Sequence, residues 1–139
     1  MSLTKTKQPF LALSKICLNN WHYIDQKILS FNDGINFFTG HSGSGKSTVI
    51  DAMQIVLYAN TDGRGFFNKA AADDSDRNLI EYLRGMVAVG EKDEVTYLRN
   101  KNFSTTIVLE FTQTESDEKE CLGVVFDVDT ARNDTSRLF

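Results

Sequence analysis

The sequence predicts an α/β fold in which one helix packs on a mixed sheet and the flanking strands form an antiparallel β-subdomain. Three observations predict it. Short segments rich in β-branched and aromatic residues open the chain, and a glycine-rich loop separates the last of them from a helical pattern. Two runs of alternating polarity lie in the C-terminal third. The domain is expected to span residues 10–139.

The opening strands are predicted at 10–18 and 22–31, where apolar, β-branched and aromatic residues are concentrated. Asn32, Asp33 and Gly34 then supply residues typical of a turn. The short segment INFFT, residues 35–39, is predicted to be a third strand that runs directly into the glycine-rich loop.

A mostly buried helix is predicted over 46–59, because apolar residues recur there at helical spacing. Asp51, Gln54 and Tyr58 are expected to form its narrow polar side. The stretch 60–74 mixes glycines and small residues without a period and predicts a long loop. A second helix is expected to begin near Ser75, to turn Leu79, Ile80 and Leu83 inward, and to end at Gly85.

The two alternating runs lie at 105–112 and 122–129. Each predicts a strand with one buried and one solvated face. The acidic connection TESDEKE joins them, so an antiparallel hairpin is expected.

Composition narrows the class of protein. The chain has 139 residues, 41% of them hydrophobic, and a formal net charge of -4, which suits one compact domain and excludes a histone-like polycation. No apolar run approaches the roughly 20 residues that cross a bilayer, so a cytoplasmic protein without a membrane partner is expected. Residues 1–9 are expected to be disordered or a cloning remnant. Cys17 and Cys121 are expected to be buried free thiols, and neither they nor His22 and His41 suggest a metal centre.

The glycine-rich loop GHSGSGKST meets the Walker A pattern G-x-x-x-x-G-K-[ST] and lies between a predicted strand and a predicted helix. Glycines let successive backbone amides curl around phosphate oxygens, and the start of the helix directs its unpaired amides at the same anion. Lys46 is expected to reach the β- and γ-phosphates, and the Ser47 hydroxyl to coordinate Mg²⁺. The predicted ligand is ATP with magnesium. The predicted nucleotide-binding residues are Gly40, His41, Ser42, Gly43, Ser44, Gly45, Lys46, Ser47 and Thr48.

A hydrolysing P-loop enzyme also needs an acidic metal ligand and a group that orients water, and neither is evident in this sequence. Asp127, in LGVVFDVD, is the one lookalike, and its run alternates as in a half-solvated strand. A complete small P-loop kinase or GTPase that uses Asp127 as metal carboxylate is therefore an alternative, although no guanine-specific N-K-x-D motif occurs. A non-enzymatic module with a structural glycine loop is a second alternative. No catalytic residue is assigned on this chain.

The block from Leu13 to Tyr58 resembles the N-terminal lobe of the ABC-type ATPase heads of the SMC, SbcC, RecF and MukB superfamily. The features that carry the resemblance are an opening strand ending in Asn-Trp, the G-I-N before the loop, and S-T-x-I-D-A in the helix after it. The later segments GFFNKAAADDSDRNLIEYLRG and GVVFDVD are most similar to the JetC-type ATPases of Wadjet defence systems.

The resemblance implies that residues 10–139 are the first lobe of an ATPase head, with a coiled coil and a C-terminal lobe elsewhere in a longer protein. That lobe would carry the signature motif and Walker B acid, so this chain alone is expected to bind ATP but hardly hydrolyse it. In the superfamily two heads sandwich two ATP molecules and act on DNA, in chromosome organisation, repair or plasmid defence. Many relatives have a basic residue where this chain has Asn20, Trp21 and His22, which puts a transferred contact there in doubt.

For DNA contacts the chain offers a loose series of basic residues with aromatic residues between them. An ordinary solvated surface is the preferred explanation for each of them, and no DNA site is assigned. The series consists of Arg64, Lys69, Arg77, Arg84, Arg99 and Lys101.

Overall fold

A five-stranded antiparallel sheet is the framework of the computed structural model. The model describes residues 8–32, 34–40, 45–58, 79–87 and 96–139. The elements in chain order are β1 (Leu11–Trp21), β2 (Ile24–Ser30), α1 (Lys46–Leu57), α2 (Leu79–Arg84), β3 (Met86–Val87), β4 (Thr96–Tyr97), β5 (Phe103–Gln113), β6 (Lys119–Asp129) and β7 (Asp134–Leu138). The large sheet has the order β2-β1-β5-β6-β7, and β3 pairs with β4 in a separate ribbon.

Alternation along β5 and β6 gives the sheet one buried face. Ile107 and Leu109 on β5, and Val124 and Phe126 on β6, are buried, whereas the residues between them are half-buried or exposed. The hairpin predicted from the two alternating runs is confirmed, with Ile107 opposite Val124 in the register. The buried side of β5 and β6, together with Ile16 and Leu18 of β1, is called the inner face below.

Helix α1 packs on the inner face. Val49, Ala52, Ile55 and Val56 are buried in the same apolar cluster as the strands, so the predicted helix is confirmed and ends at Leu57. Two details differ from the prediction. Asp51, expected on the polar side, is only 5% exposed and accepts a hydrogen bond inside the protein. Ile50 and Leu57, predicted in the apolar pattern of the helix, are exposed, whereas Tyr58 is exposed as predicted.

The third predicted strand is absent, because residues 35–40 have no strand pairing in the structure. Ile35 and Phe37 are 78% and 83% exposed. A strand requires a neighbouring strand to bond its amides and carbonyls, and no neighbour for this segment lies in the described part of the chain. Every pairing among the described strands is antiparallel. The sheet was predicted to be mixed, and no parallel pair occurs among these strands. Strand β7 was not predicted.

Helix α2 confirms the inward direction of Leu79, Ile80 and Leu83, all of which are buried. It ends at Gly85, as predicted, where a φ of 71° selects glycine. The predicted start near Ser75 and the predicted loop at 60–74 lie outside the described residues, as do residues 1–7.

The thiols differ from their prediction. Cys17 is half-buried and Cys121 is exposed, because both lie on the face of the sheet opposite the inner face. Among the described residues, no three His, Cys, Asp or Glu side chains are grouped so that they could hold a metal ion. No helix in the described ranges is long and apolar enough to span a bilayer.

Arg99 joins the turn between β1 and β2 to the end of α2. Its guanidinium donates hydrogen bonds to the carbonyl oxygens of His22 at 2.6 Å, Leu83 at 2.8 Å and Ile24 at 3.1 Å. It also lies 3.5 Å from the carboxylate of Asp25, and its side chain is only 10% exposed. Burial lowers the pKa of the guanidinium, while the charge of Asp25 raises it. A cation thus crosslinks backbone segments that are distant in sequence.

Glu110 contributes a pH-dependent term to stability. Ser14 donates a hydrogen bond to its carboxylate at 2.9 Å and Lys119 donates one at 3.1 Å, and these bonds lower the pKa of Glu110. A carboxyl whose folded pKa is depressed stabilises the fold above its unfolded pKa of about 4.3 and loses that contribution as pH falls through the folded pKa.

Glu110→Gln is therefore expected to lower the melting temperature slightly at pH 7 and to have a smaller effect at about pH 3. Thermal unfolding followed by circular dichroism at both pH values measures the difference. Glu118→Gln, an exposed neighbour, is the control. An equal effect of Glu110→Gln at both pH values would contradict the assignment.

Candidate nucleotide site at the start of helix α1

The start of α1 has the features of an anion site. Gly45 precedes the helix with a φ of 94°, in the left-handed region that favours glycine. No side chain caps the first turn by a hydrogen bond from the N-cap position, and no acidic residue lies in that turn. The partial positive charge at the beginning of this 12-residue helix is thus not offset by a carboxylate of its own first turn.

Lys46 and Gly40 bring the two ends of the predicted Walker A loop together. Lys46 is the first residue of α1, and its ammonium donates a hydrogen bond to the carbonyl oxygen of Gly40. The ammonium therefore lies between the first residue of the motif and the helix start, where it can meet a bound anion. His41, Ser42, Gly43 and Ser44, also predicted to bind nucleotide, lie outside the described residues.

Ser47 and Thr48 complete the first turn of α1. Ser47 is exposed, so its hydroxyl can reach a metal ion held by a phosphate. Thr48 is half-buried, and its carbonyl oxygen accepts a 2.8 Å hydrogen bond from the indole nitrogen of Trp21. The structure thus places Gly40, Gly45, Lys46, Ser47 and Thr48 at one end of α1.

A cleft of about 620 Å³ opens beside this helix start. Gly45, Lys46 and Val49 line part of it, and residues 30–32 and 35–39 line much of the rest. The apolar lining includes Phe37, which the missing third strand leaves exposed. The cleft is adjacent to the start of α1.

Asp127 is not brought to this site. It is exposed on β6 between Phe126 and Val128, which are both buried in the core on the inner face. Because side chains alternate along a strand, its carboxylate points away from the face that α1 covers, and Ser104 donates a hydrogen bond to it. The alternative that uses Asp127 as the metal carboxylate is therefore not supported by the geometry.

Two of the basic residues considered for DNA contact have structural partners. Arg99 holds the three carbonyl oxygens described above. Arg84 donates to the Arg99 carbonyl oxygen at 3.1 Å and lies 4.0 Å from the centre of the Tyr97 ring. Lys101 is exposed, and Arg64, Lys69 and Arg77 lie outside the described residues.

Part of the chain matches a known protein family, and the whole fold is similar to a solved structure. Residues 13–74 match the family model described as the P-loop containing region of AAA domain. A solved structure from work on the structural biochemistry of ATP-driven dimerization and DNA-stimulated activation of SMC ATPases is similar to this chain, with a TM-score of 0.51 and 17% identity. The similarity covers 91% of this chain and 68% of that one. No curated protein sequence matches.

The chain has a P-loop NTPase fold similar to that of an SMC ATPase head. In this P-loop fold the antiparallel sheet carries α1 on one face, and α1 begins where the glycine-rich motif ends. The family match includes the whole motif, from Gly40 to Thr48, all of β2, and β1 from Leu13 onward. The predicted fold class is thus confirmed.

Sequence reasoning missed two contacts that hold the P-loop helix. They are the bond from Trp21 to Thr48 and a 3.0 Å bond from the Tyr82 hydroxyl to the Asp51 carboxylate. The signal available for the second was a carboxylate within a strongly apolar helix pattern, which is costly to bury without a partner. The identity of the partner depends on the tertiary fold and has no local signature.

Proposed function

We propose that this chain is the ATP-binding lobe of an SMC-like ATPase head, with magnesium as the accompanying ion. The observation that carries the proposal is the start of α1, where Gly45 has a positive φ and the Lys46 ammonium reaches back to Gly40. Unpaired helix amides and an adjacent ammonium are the groups that bind the β- and γ-phosphates in P-loop proteins.

The chemistry follows from the residues. Lys46 would neutralise charge on the outer phosphates, and Ser47 would coordinate Mg²⁺ by its hydroxyl. Gly40, His41, Ser42, Gly43 and Ser44 would contribute mainly backbone amides, and Thr48 would close the first turn. The magnesium ion that Ser47 would hold would supply positive charge to offset the negative charge of the phosphates.

A second lobe is proposed to complete the head. The exposed backbone and apolar side chains at Ile35 and Phe37 fit a strand that pairs with a strand from another part of the protein. The exposed side of α1, with Ile50 and Leu57, adds exposed apolar surface of the kind that monomeric proteins usually cover. Slower backbone hydrogen exchange at residues 35–39 in a longer chain that includes the C-terminal lobe would support this pairing.

Action on DNA and pairing of two heads belong to the same proposal. The solved SMC structure comes from work on ATP-driven dimerization and DNA-stimulated activation, and the fold similarity supports a related role here. Chromosome organisation, repair and plasmid defence are the tasks that the resemblance suggests, with the JetC-type ATPases as the narrower match. Stimulation of ATP hydrolysis by DNA in the full-length protein is the measurement that tests this part.

Thermal unfolding with and without Mg-ATP tests the nucleotide site. A ligand at about 100 times its Kd stabilises a protein by about 2.7 kcal/mol, so saturating Mg-ATP is expected to raise the melting temperature by several degrees. Lys46→Ala is expected to remove most of that rise, because the ammonium contacts the outer phosphates. Lys101→Ala, at an exposed lysine, is the matched control and should retain it.

Two further measurements, with Mg-GTP and of ATP turnover, test the preferred base and the expected lack of hydrolysis. Mg-GTP should raise the melting temperature less than Mg-ATP if adenine is the preferred base. ATP turnover by the isolated chain should be close to background, because the acidic metal ligand and the water-orienting group are proposed to come from the second lobe. An equal rise in wild type and Lys46→Ala would contradict the proposed site.

A further inference from the structure

Three buried aromatic rings form a stack beside the P-loop helix. Trp21 lies at the end of β1, His22 follows it in the turn, and Tyr82 comes from α2. The rings of Trp21 and Tyr82 are 4.9 Å apart and tilted by 56°, and His22 is stacked on Tyr82 at 4.0 Å with an angle of 9°. The ring of Tyr82 therefore packs against two neighbouring rings.

Two members of this stack donate hydrogen bonds to α1. The Trp21 indole nitrogen donates to the Thr48 carbonyl oxygen at 2.8 Å, and the Tyr82 hydroxyl donates to the Asp51 carboxylate at 3.0 Å. Thr48 is the residue after Ser47, and Asp51 lies one helical turn beyond Ser47. The two bonds thus hold the first two turns of α1, which carry Lys46 and Ser47.

The bond to Asp51 satisfies a buried polar group. Asp51 is buried, and a buried carboxyl group is costly unless its polar atoms make hydrogen bonds. Any rotation of α1 that moved Asp51 away from Tyr82 would weaken this bond, so the helix has a preferred orientation about its axis.

The base of the stack is itself fixed. The Nδ1 atom of His22 lies 3.0 Å from the Tyr82 carbonyl oxygen, and Arg99 bonds the carbonyl oxygens of His22 and Leu83. The β1–β2 turn and α2 are therefore held to each other by bonds that do not involve α1. Trp21 and Tyr82 then connect this pair to α1.

We propose that Trp21 and Tyr82 are positioning residues of the nucleotide site, which set the orientation of α1 and thereby the affinity for the triphosphate. The inference rests on the proposed function, because it assumes that the start of α1 binds phosphate. Binding groups must be held within about 0.5 Å of their productive position, and side chains locked by packing provide that precision. Trp21 and Tyr82 hold α1 in this way from its core-facing side.

Tyr82→Phe tests the proposal, because it removes the hydroxyl and leaves the ring stack. Its Kd for Mg-ATP is expected to rise about fivefold or more, the lower end of ordinary coupling energies. Tyr23→Phe is the matched control. Tyr23 contacts the ring of His22 at 3.8 Å, but its hydroxyl donates to the Met86 carbonyl oxygen instead of to α1. The control should bind Mg-ATP as wild type does.

A second measurement separates positioning from general destabilisation. Hydrogen exchange of the nucleotide-free chain should be faster in residues 46–57 of Tyr82→Phe, with little change in β5 and β6. Trp21 is the single tryptophan, so its fluorescence also reports directly on the stack. A Mg-ATP-dependent change in emission that is present in wild type should be reduced in Tyr82→Phe.

The outcomes are distinct. Equal Kd values for wild type and Tyr82→Phe, in a chain that binds Mg-ATP, would overturn the positioning role. Faster exchange throughout the sheet of Tyr82→Phe would overturn it as well, since the hydroxyl would then support the whole fold. A wild-type chain that shows no Mg-ATP binding would overturn the proposed function, and the inference that rests on it.

Discussion

Replacing Arg99 with methionine is expected to cost about 3 to 5 kcal/mol in the free energy of unfolding. The guanidinium donates to three carbonyl oxygens, and its removal leaves these acceptors where a methionine side chain excludes water. Each buried acceptor without a partner costs about 1 to 3 kcal/mol, and partial relaxation reduces the sum. The expected loss is a large part of the stability of a small domain.

Urea denaturation followed by Trp21 fluorescence measures the loss. Arg132→Met is the control, because Arg132 is exposed and lies 3.9 Å from Asp129 in a surface ion pair that contributes little. Arg99→Lys should be intermediate, since an ammonium cannot reach all three oxygens in the geometry of a guanidinium fork. A loss below about 1 kcal/mol for Arg99→Met would mean that water replaces the guanidinium.

Phe126→Ala is expected to destabilise the chain by about 3 to 5 kcal/mol, the range for a buried phenylalanine. Phe126 is fully buried on the inner face and belongs to the same cluster as Val49 and Ile55 of α1. The substitution removes transfer free energy and leaves a cavity between β6 and the helix. Because the cavity adjoins α1, the substitution should also lower the affinity of the proposed nucleotide site for Mg-ATP.

Leu122→Ala is the matched control for Phe126→Ala. Leu122 lies on the same strand and the same parity, but it is 52% exposed, so its truncation should cost much less. Equilibrium denaturation of both variants gives the comparison. Similar losses at the two positions would show that the inner face is not the core that supports α1.

The sequence predicted the parts of the fold that depend on local pattern. Alternation along β5 and β6 gave their pairing, and helical spacing after the glycine loop gave α1, because both patterns arise from which side chains meet the core. Gly85 was correctly placed at the end of α2, since a positive φ favours glycine.

Features that depend on a partner strand or a tertiary contact were not predictable. The segment 35–39 has the composition of a strand, but composition does not state whether a neighbour is available to pair with it. Asp51 was assigned to the polar side of α1, because the periodic pattern treats every carboxylate as solvated. Strand β7 is short and polar, and its place at the sheet edge comes from pairing with β6.

The candidate site also combines features that a local sequence pattern predicts with features that depend on tertiary contacts. The spacing of the motif predicted that a helix begins at Lys46, directly after the glycine-rich loop, and α1 does begin there. Trp21 and Tyr82 carry no such local signature. Their contribution depends on how β1 and α2 are placed relative to α1.

The strand order has a consequence for how the chain folds. Strand β1 pairs with β5 across roughly ninety to a hundred residues of sequence, whereas β1–β2 and β5–β6–β7 are local hairpins. Long-range closure is slow because its entropy is lost before the contacts form, so the two local units are expected to form first and join later. Helix α1 gains its packing surface on β5 and β6 only after that closure. The start of α1, where the proposed nucleotide site lies, should therefore be among the last parts to become ordered during refolding.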